Sequence, residues 1–239
     1  MLNDFLSSHF LNEGVIYYAL KDSALFYILC AFLCVALPYL LGSINFAVII
    51  SSKRYNDDVR EYGSGNAGMT NMMRTYGRKA AALTLAGDSL KAVIAALIGY
   101  YCFGLMGAYI SGFFCIFGHL YPIFFKFKGG KGVVTAATSI LMCNPIVFLI
   151  LIVIFVLIVL IWRYISLASI MCVLLYPVVL NGVDKLFIGG SGVYIIFAIL
   201  TAVIVVAKHR DNIKRLLNKT ESKFEFKKSV KTKDKKDRE

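Results

Sequence analysis

Apolar runs separated by short polar stretches divide the chain, at about residues 24–51, 80–103, 107–125, 133–161, 165–181 and 192–207. Most approach or exceed the roughly 20 residues a helix needs to cross a ~30 Å hydrocarbon core. None shows the alternation of apolar and polar residues expected of a membrane barrel strand. The pattern predicts an all-α polytopic integral membrane protein. Two breaks refine it. Gly104 and Gly107 interrupt residues 80–125, which are long enough for a hairpin of two crossings. Asn144 followed by Pro145 divides residues 133–161, since Asn is a good N-cap and Pro suits the first turn of a new helix.

Charge then adds sidedness. Of 26 Lys and Arg residues, 22 lie in three segments, 52–79, 126–131 and 208–239, and only Lys21, Lys91, Arg163 and Lys185 fall elsewhere. The positive-inside rule places all three segments in the cytoplasm. An even number of crossings must then separate each from the next. With the break at Asn144, this parity gives seven transmembrane helices, the fourth being short, with the N-terminus outside and the C-terminus cytoplasmic. Five helices, with 133–161 as one crossing and 165–207 as one interrupted element, satisfy the same parity.

Composition agrees with the bilayer as solvent: 59% of the 239 residues are hydrophobic and the mean hydropathy is +0.72, against about 45–50% apolar residues in soluble domains. Anionic lipid and topogenesis account for the net charge of +12 before nucleic acid does. Residues 1–22 lack the basic start of a cleaved signal peptide and read as an outer or interfacial lead. Residues 23–215 form the seven-helix membrane domain, and 216–239 a basic cytoplasmic tail, disordered from about 228. The stretch KHRDNIKRLL from Lys208 reads as an extension of the last helix. Six cysteines lie in apolar runs without a CxxC pair, as small core residues, and neither metal nor disulfide is expected.

Three polar constellations carry chemistry. The first is GSGNAGMTNMMR, residues 63–74. Its G-x-G-x-x-G is no dinucleotide fingerprint, because a charged loop precedes it where a strand is required and Asp88 falls within a membrane helix. Glycines that let backbone N–H groups converge, together with Asn66 or Ser64 as a helix cap, describe an anion site. Asn66, Thr70 and Arg74 then recur on one helical face, with Asn71 beside them. The second is KFKGGKG, residues 126–132. Gly132 stands where a P-loop needs Ser or Thr, but three lysines around a glycine bend, ahead of a helix start, again suit phosphate. The third is HRDNIKR, residues 209–215, with Glu221 beyond it. At helical spacing His209 and Asn212, with Lys208, share a face. Asp88 and Lys91 form an intramembrane i, i+3 pair, either functional or mutually neutralising. Three anion-suited segments on one face suggest a shared phosphate site at the membrane surface.

Together GSGNAGMTNMMRTYGRKA, GHLYPIFFKFKGGKG and KHRDNIKRLLNKTE resemble the three cytoplasmic motifs of the bacterial acyl-phosphate-dependent glycerol-3-phosphate acyltransferases, the PlsY family. LLGSINF, GDSLKA and WRYISLASI extend the resemblance from about Gly42 to Glu221. The chain departs from the family pattern at Asn45 in place of proline, at the bulkier Met69, and at Asn218 in place of glycine.

The resemblance implies transfer of a fatty acyl group from acyl phosphate to the 1-hydroxyl of sn-glycerol 3-phosphate in the bacterial cell membrane. Lysophosphatidic acid and phosphate would be the products, with no cofactor and no acyl-CoA or acyl-carrier-protein donor. It implies a cytosolic site and an upstream enzyme that makes acyl phosphate. Carried over, Ser64, Arg74, His209 and Asn212 are catalytic. Gly63, Gly65, Asn66, Thr70 and Asn71 bind the donor, and Lys126, Lys128, Gly129, Gly130 and Lys131 bind glycerol 3-phosphate. Acyl phosphate is a mixed anhydride with a good leaving group, so positioning and charge stabilisation suffice. In keeping, no histidine is followed five residues on by Asp: Gly14, Phe124 and Lys214 stand there. Proton removal could fall to His209 or to a substrate phosphate. A transporter or flippase for a phosphorylated metabolite or anionic lipid is the alternative, against which stand the one-sided polar groups and the lack of an internal repeat.

Overall fold

The computed structural model describes residues 24–188 and 192–224, and is helical throughout apart from its loops. The readings for residues 1–22 and for the tail from 228 lie outside the described residues. The helices are α1 (Ala24–Ser43), α2 (Phe46–Tyr55), α3 (Met69–Tyr76), α4 (Arg78–Leu120), α5 (Val133–Cys143), α6 (Pro145–Trp162), α7 (Ile165–Val183), α8 (Ile195–Lys208) and α9 (Arg210–Leu217). Four stretches, Ala24–Tyr55, Arg78–Phe125, Pro145–Trp162 and Ile165–Phe187, are long and apolar enough to cross a membrane, and α5 and α8 are shorter apolar helices. The lipid-type surface is plainest on α6, where Leu149, Val153, Leu157, Leu160 and Ile161 are all exposed.

The breaks fall where local chemistry directs them. Phe103 and Gly104 have non-helical dihedrals, Gly104 at φ 57°. There α4 folds back on itself: a Cβ built on Gly99 would overlap the carbonyl of Gly107, and the reverse. In a straight helix, eight residues would separate them by about 12 Å. Asn144 caps α6 by accepting the Val147 N–H at 3.1 Å, with Pro145 in the first turn. Asn45, where the family pattern has proline, is buried and caps α2 through the Val48 N–H at 3.1 Å.

Small residues set the packing of α1 on the returning arm of α4. A side chain on Gly42 would overlap the Cys115 backbone, and one on Gly118 the Tyr39 carbonyl. Such close approach replaces the hydrophobic drive that lipid does not provide between helices. Cys30 and Cys34 of α1 are buried with Cys102, at the end of the outgoing arm of α4, and Cys115 is buried on the returning arm. The expected continuous extension of α8 is corrected: the chain bends at His209 (φ −95°, ψ 5°), whose N–H donates to Val206 O, and α9 starts afresh. Lys208 therefore leaves the His209 face and sits over the Tyr121 ring, 3.8 Å from its centroid.

Candidate functional site

All three basic segments meet at one end of the bundle. The first loop turns through Val59–Glu61 and then through Gly63 and Gly65, both left-handed at φ 59° and 69°. Asn71 shapes it from α3. Its side-chain NH2 donates to Val59 O at 3.0 Å and Tyr62 O at 2.9 Å, and its oxygen accepts the Ser64 N–H at 3.0 Å. Both donors are thus committed, and Asn71 holds the loop in place. The expected Ser64 or Asn66 cap is corrected: Gly68 is the N-cap of α3, and no side chain caps it. Extended backbone at Gly68 brings the chain into α3 without turning either side chain back onto the helix start.

Arg60 ties this loop to the second. Asp58 grips its guanidinium with both carboxylate oxygens, at 2.9 Å to Nε and 2.6 Å to Nη2, while Nη1 donates to Phe125 O and Lys128 O at 3.3 and 3.1 Å. That pairing holds the Asp58 carboxyl below the usual carboxylate range. In the second loop, Gly130 N–H donates to His119 O at 3.2 Å. A Cβ on Gly129 would overlap the His119 carbonyl and Pro122 Cδ, and one on Gly130 would overlap His119 Nε2 and crowd Ala67 O. The two glycines are therefore required where the loop presses on the end of α4. Gly132, at φ 76°, starts α5, again without a side-chain cap.

The third segment closes the site. α9 ends in a Schellman motif: Lys219 is left-handed, its N–H donates to Leu216 O, and Thr220 N–H donates to Arg215 O. The reversal turns Glu221 back into the bundle. Its carboxylate accepts from Ser166 Oγ at 2.8 Å, Asn212 Nδ2 at 2.7 Å and Arg215 Nε at 2.7 Å. These donors keep it ionised, below the ordinary glutamate range, against its burial. Asn212 Oδ1 in turn accepts from Lys131 Nζ. Arg74 Nη2 reaches Ser222 O at 3.4 Å. A domain limit at 215 would therefore cut α9 and leave out Glu221, which belongs with the site.

One cavity of about 540 Å³ runs through this region. Its polar end carries Ser64, Asn66, Thr70, Asn71, Arg74, Lys131, His209, Asn212 and Glu221, and its walls continue through Val134, Leu141, Phe148, Leu151, Phe155 and Cys172 between α5, α6 and α7. Of the remaining residues singled out in the sequence, Gly63 and Gly65 shape the first loop, Gly129 and Gly130 pack the second against α4, and Lys126 and Lys128 are exposed outside the cavity. Burial, with Arg215 nearby, pushes the Lys131 ammonium down to about 8. Burial also pushes His209 down to about 4. His209 Nδ1 lies 2.8 Å from Val205 O, which can only accept, so Nδ1 carries the proton and Nε2 is the acceptor.

Sequence reading passed over Ser166, Arg60 and His119 and gave Glu221 no role. Only Glu221 carried a local signal, a lone acid after a cationic stretch. The others depend on contacts across more than 25 positions of chain.

The fold and cavity define an all-helical integral membrane protein with an anion-suited site where apolar walls begin. The chain belongs to the glycerol-3-phosphate acyltransferase family, whose model matches residues 32–219. It is 42% identical over 201 residues to a glycerol-3-phosphate acyltransferase of Thermoanaerobacter sp. (strain X514), covering 84% of this chain and 99% of that one. The Rhizobium etli enzyme of the same name is 44% identical over 186 residues, 78% of this chain and 87% of its own. Among solved structures, the glycerol 3-phosphate form of PlsY (YgiH), an integral membrane glycerol 3-phosphate acyltransferase, aligns with a TM-score of 0.73 at 38% identity, over 82% of this chain and 96% of that one. Its lysophosphatidic acid form aligns at 0.71 and 37%, over 82% and 95%.

Proposed function

We propose that this protein transfers a fatty acyl group from acyl phosphate to the 1-hydroxyl of glycerol 3-phosphate, releasing phosphate and leaving lysophosphatidic acid in the membrane. The observation that carries the reading is that one cavity has cations at its polar end and an apolar remainder. A water-soluble phosphate and a lipid tail can occupy it together. Family membership supports the glycerol 3-phosphate acceptor, and the chemistry of the site supports the acyl phosphate donor. The positive-inside rule supports a cytoplasmic site in a bacterial cell membrane, with the outgoing and returning arms of α4, together with α1, α5, α6, α7 and α8, as seven crossings.

Arg74, Lys131 and the uncapped starts of α3 and α5 neutralise the phosphates, with Ser64, Asn66 and Thr70 as polar partners that orient the donor. The hydroxyl oxygen attacks the acyl carbon, a C–O ester bond forms, and the C–O bond to phosphate breaks with its electron pair leaving on phosphate. An imidazole held at about 4 is a weaker base than a phosphate whose second ionisation lies near ~6. The hydroxyl proton therefore passes to the departing phosphate, while His209 Nε2 and Asn212 align the hydroxyl. Lys131 is oriented by Asn212, and Asn212 by Glu221. An upstream enzyme would supply the acyl phosphate.

Purified protein incubated with palmitoyl phosphate and glycerol 3-phosphate should yield lysophosphatidic acid by mass. No product, with palmitoyl-CoA inactive as well, would favour transport of a phosphorylated metabolite over acyl transfer.

A further inference from the structure

Beneath the second glycine loop lies a buried polar cluster for which neither the family resemblance nor the mechanism above has a use. Lys91 Nζ is 2.8 Å from Asp88 Oδ1, 3.0 Å from Gly42 O, 2.7 Å from Ile44 O and 2.9 Å from His119 Nδ1, and Lys91, Asp88 and His119 are each at most 3% exposed. Lys91 is an ammonium paired with the Asp88 carboxylate, and its three protons have Gly42 O, Ile44 O and His119 Nδ1 as acceptors. The nitrogen of His119 that faces this ammonium cannot itself carry a proton. The alternative, an Nδ1–H donated to Asp88, has 3.6 Å to cross, beyond hydrogen-bond reach. Lys91 thus fixes the imidazole as the Nε2–H tautomer.

The opposite edge of that ring meets the site. His119 lines the cavity with Asp88 and Lys131, and Nε2 is the nearest heavy atom to a Cβ built on Gly130. Among the described residues Nε2–H has no hydrogen-bond partner. With His119 lining the cavity, the acceptor that Nε2–H lacks among the described residues can come from a ligand.

We propose that His119 binds substrate by donating Nε2–H to a phosphoryl oxygen at the floor of the cavity, where Lys131 and the uncapped start of α5 supply the remaining positive field. Gly130 is then small for a second reason: any side chain there would cover the donor. The proposal rests on the acyltransferase reading, and its test is kept separate from turnover.

The chain has three histidines, so 15N-histidine labelling of the full-length protein in detergent micelles gives a resolvable spectrum. The His119 resonance is identified by its loss in H119N. The expected result is the Nε2–H tautomer in the free protein, with Nε2 shifting on titration. A shift with glycerol 3-phosphate assigns the acceptor's phosphate, a shift with a non-transferable palmitoyl phosphonate assigns the donor's, and inorganic phosphate reports either. An Nδ1–H tautomer, or an Nε2 unmoved by all three ligands, overturns the proposal. In steady state, H119Q places an amide N–H near the Nε2 position, whereas H119N places its amide near Nδ1 beside Lys91. H119Q should keep kcat/KM within about tenfold and H119N should lose about 100-fold, the range for a hydrogen bond to a charged group. The reverse order would make His119 only a prop for Lys91. If neither variant inserts, loss of the other two resonances in H9N and H209N assigns the remaining one to His119, and the unsubstituted protein's spectrum then decides. Absent turnover with an Nε2 that shifts on phosphate would count against acyl transfer and leave the donor standing.

Discussion

The two glycine-rich loops use the same residue for different physical ends. In the first, Gly63 and Gly65 are exposed and adopt left-handed backbone, and a Cβ on Gly65 would come no closer than 3.4 Å to its neighbour, Arg60 O. In the second, Gly129 and Gly130 have ordinary φ, but a Cβ would be driven into His119, its carbonyl or Pro122. Conformation demands glycine at Gly65, and proximity demands it at Gly129 and Gly130. The lesson concerns substitution: a strained turn can yield locally, whereas a loop pressed on a helix end must move as a whole and takes Lys131 with it.

Several substitutions would break or sharpen that contrast. The largest effect is expected for Lys131→Ala, which removes the cation the second loop exists to place. It should lower kcat/KM by about 100–1000-fold, the scale of losing one preorganised donor to developing charge, with the thermal midpoint nearly unchanged. Gly130→Ala should follow, losing about tenfold or more in kcat/KM together with about 1–3 kcal/mol of stability for overpacking. Activity loss without a fall in melting temperature would show that the loop yields more easily than its contacts imply. Lys131 also predicts a pH response. Its ammonium binds phosphate only when protonated, so kcat/KM should fall as the pH rises through about 8. In Lys131→Arg the limb should move beyond the measurable range, because a guanidinium stays charged. A limb that persists unmoved in Lys131→Arg belongs to another group. Gly65→Ala should be mildest, about 1–2 kcal/mol of backbone strain read by thermal unfolding, with kcat/KM changed less than threefold. A larger loss of activity there than at Gly130 would invert the contrast.

The two loops also differ in how much of each was legible beforehand. That residues 63–74 form an anion-suited turn and helix start could be read from Gly, Asn and Thr spacing, because turn chemistry is local. Asn71, by contrast, reads as a ligand on paper and holds the loop in the structure, since its amide reaches carbonyls 9 and 12 positions back. In the second loop, Lys126 and Lys128 look equivalent to Lys131, yet only Lys131 enters the cavity. Lys126 and Phe127 take left-handed backbone, at φ 55° and 58°, and that turn leaves Lys128 on the surface. Lysine counting carries no information about such a turn. Gly129 and Gly130, which read as a bend in the sequence, also leave room for the end of α4.

By itself the sequence determined the apolar helices, the fold-back near Gly104, the new helix at Asn144–Pro145 and the gathering of basic loops on one side. Each follows from hydrophobic run length, capping chemistry or charge bias, all of which act over a few neighbouring residues. Only the tertiary structure decided which polar groups meet. Lys131 with Asn212, Glu221 with Ser166, and Lys91 with His119 are separated by 81, 55 and 28 positions. Their pairing depends on how closely glycine-faced helices approach and on where α9 reverses, which are properties of packed surfaces and cannot be summed from local preferences.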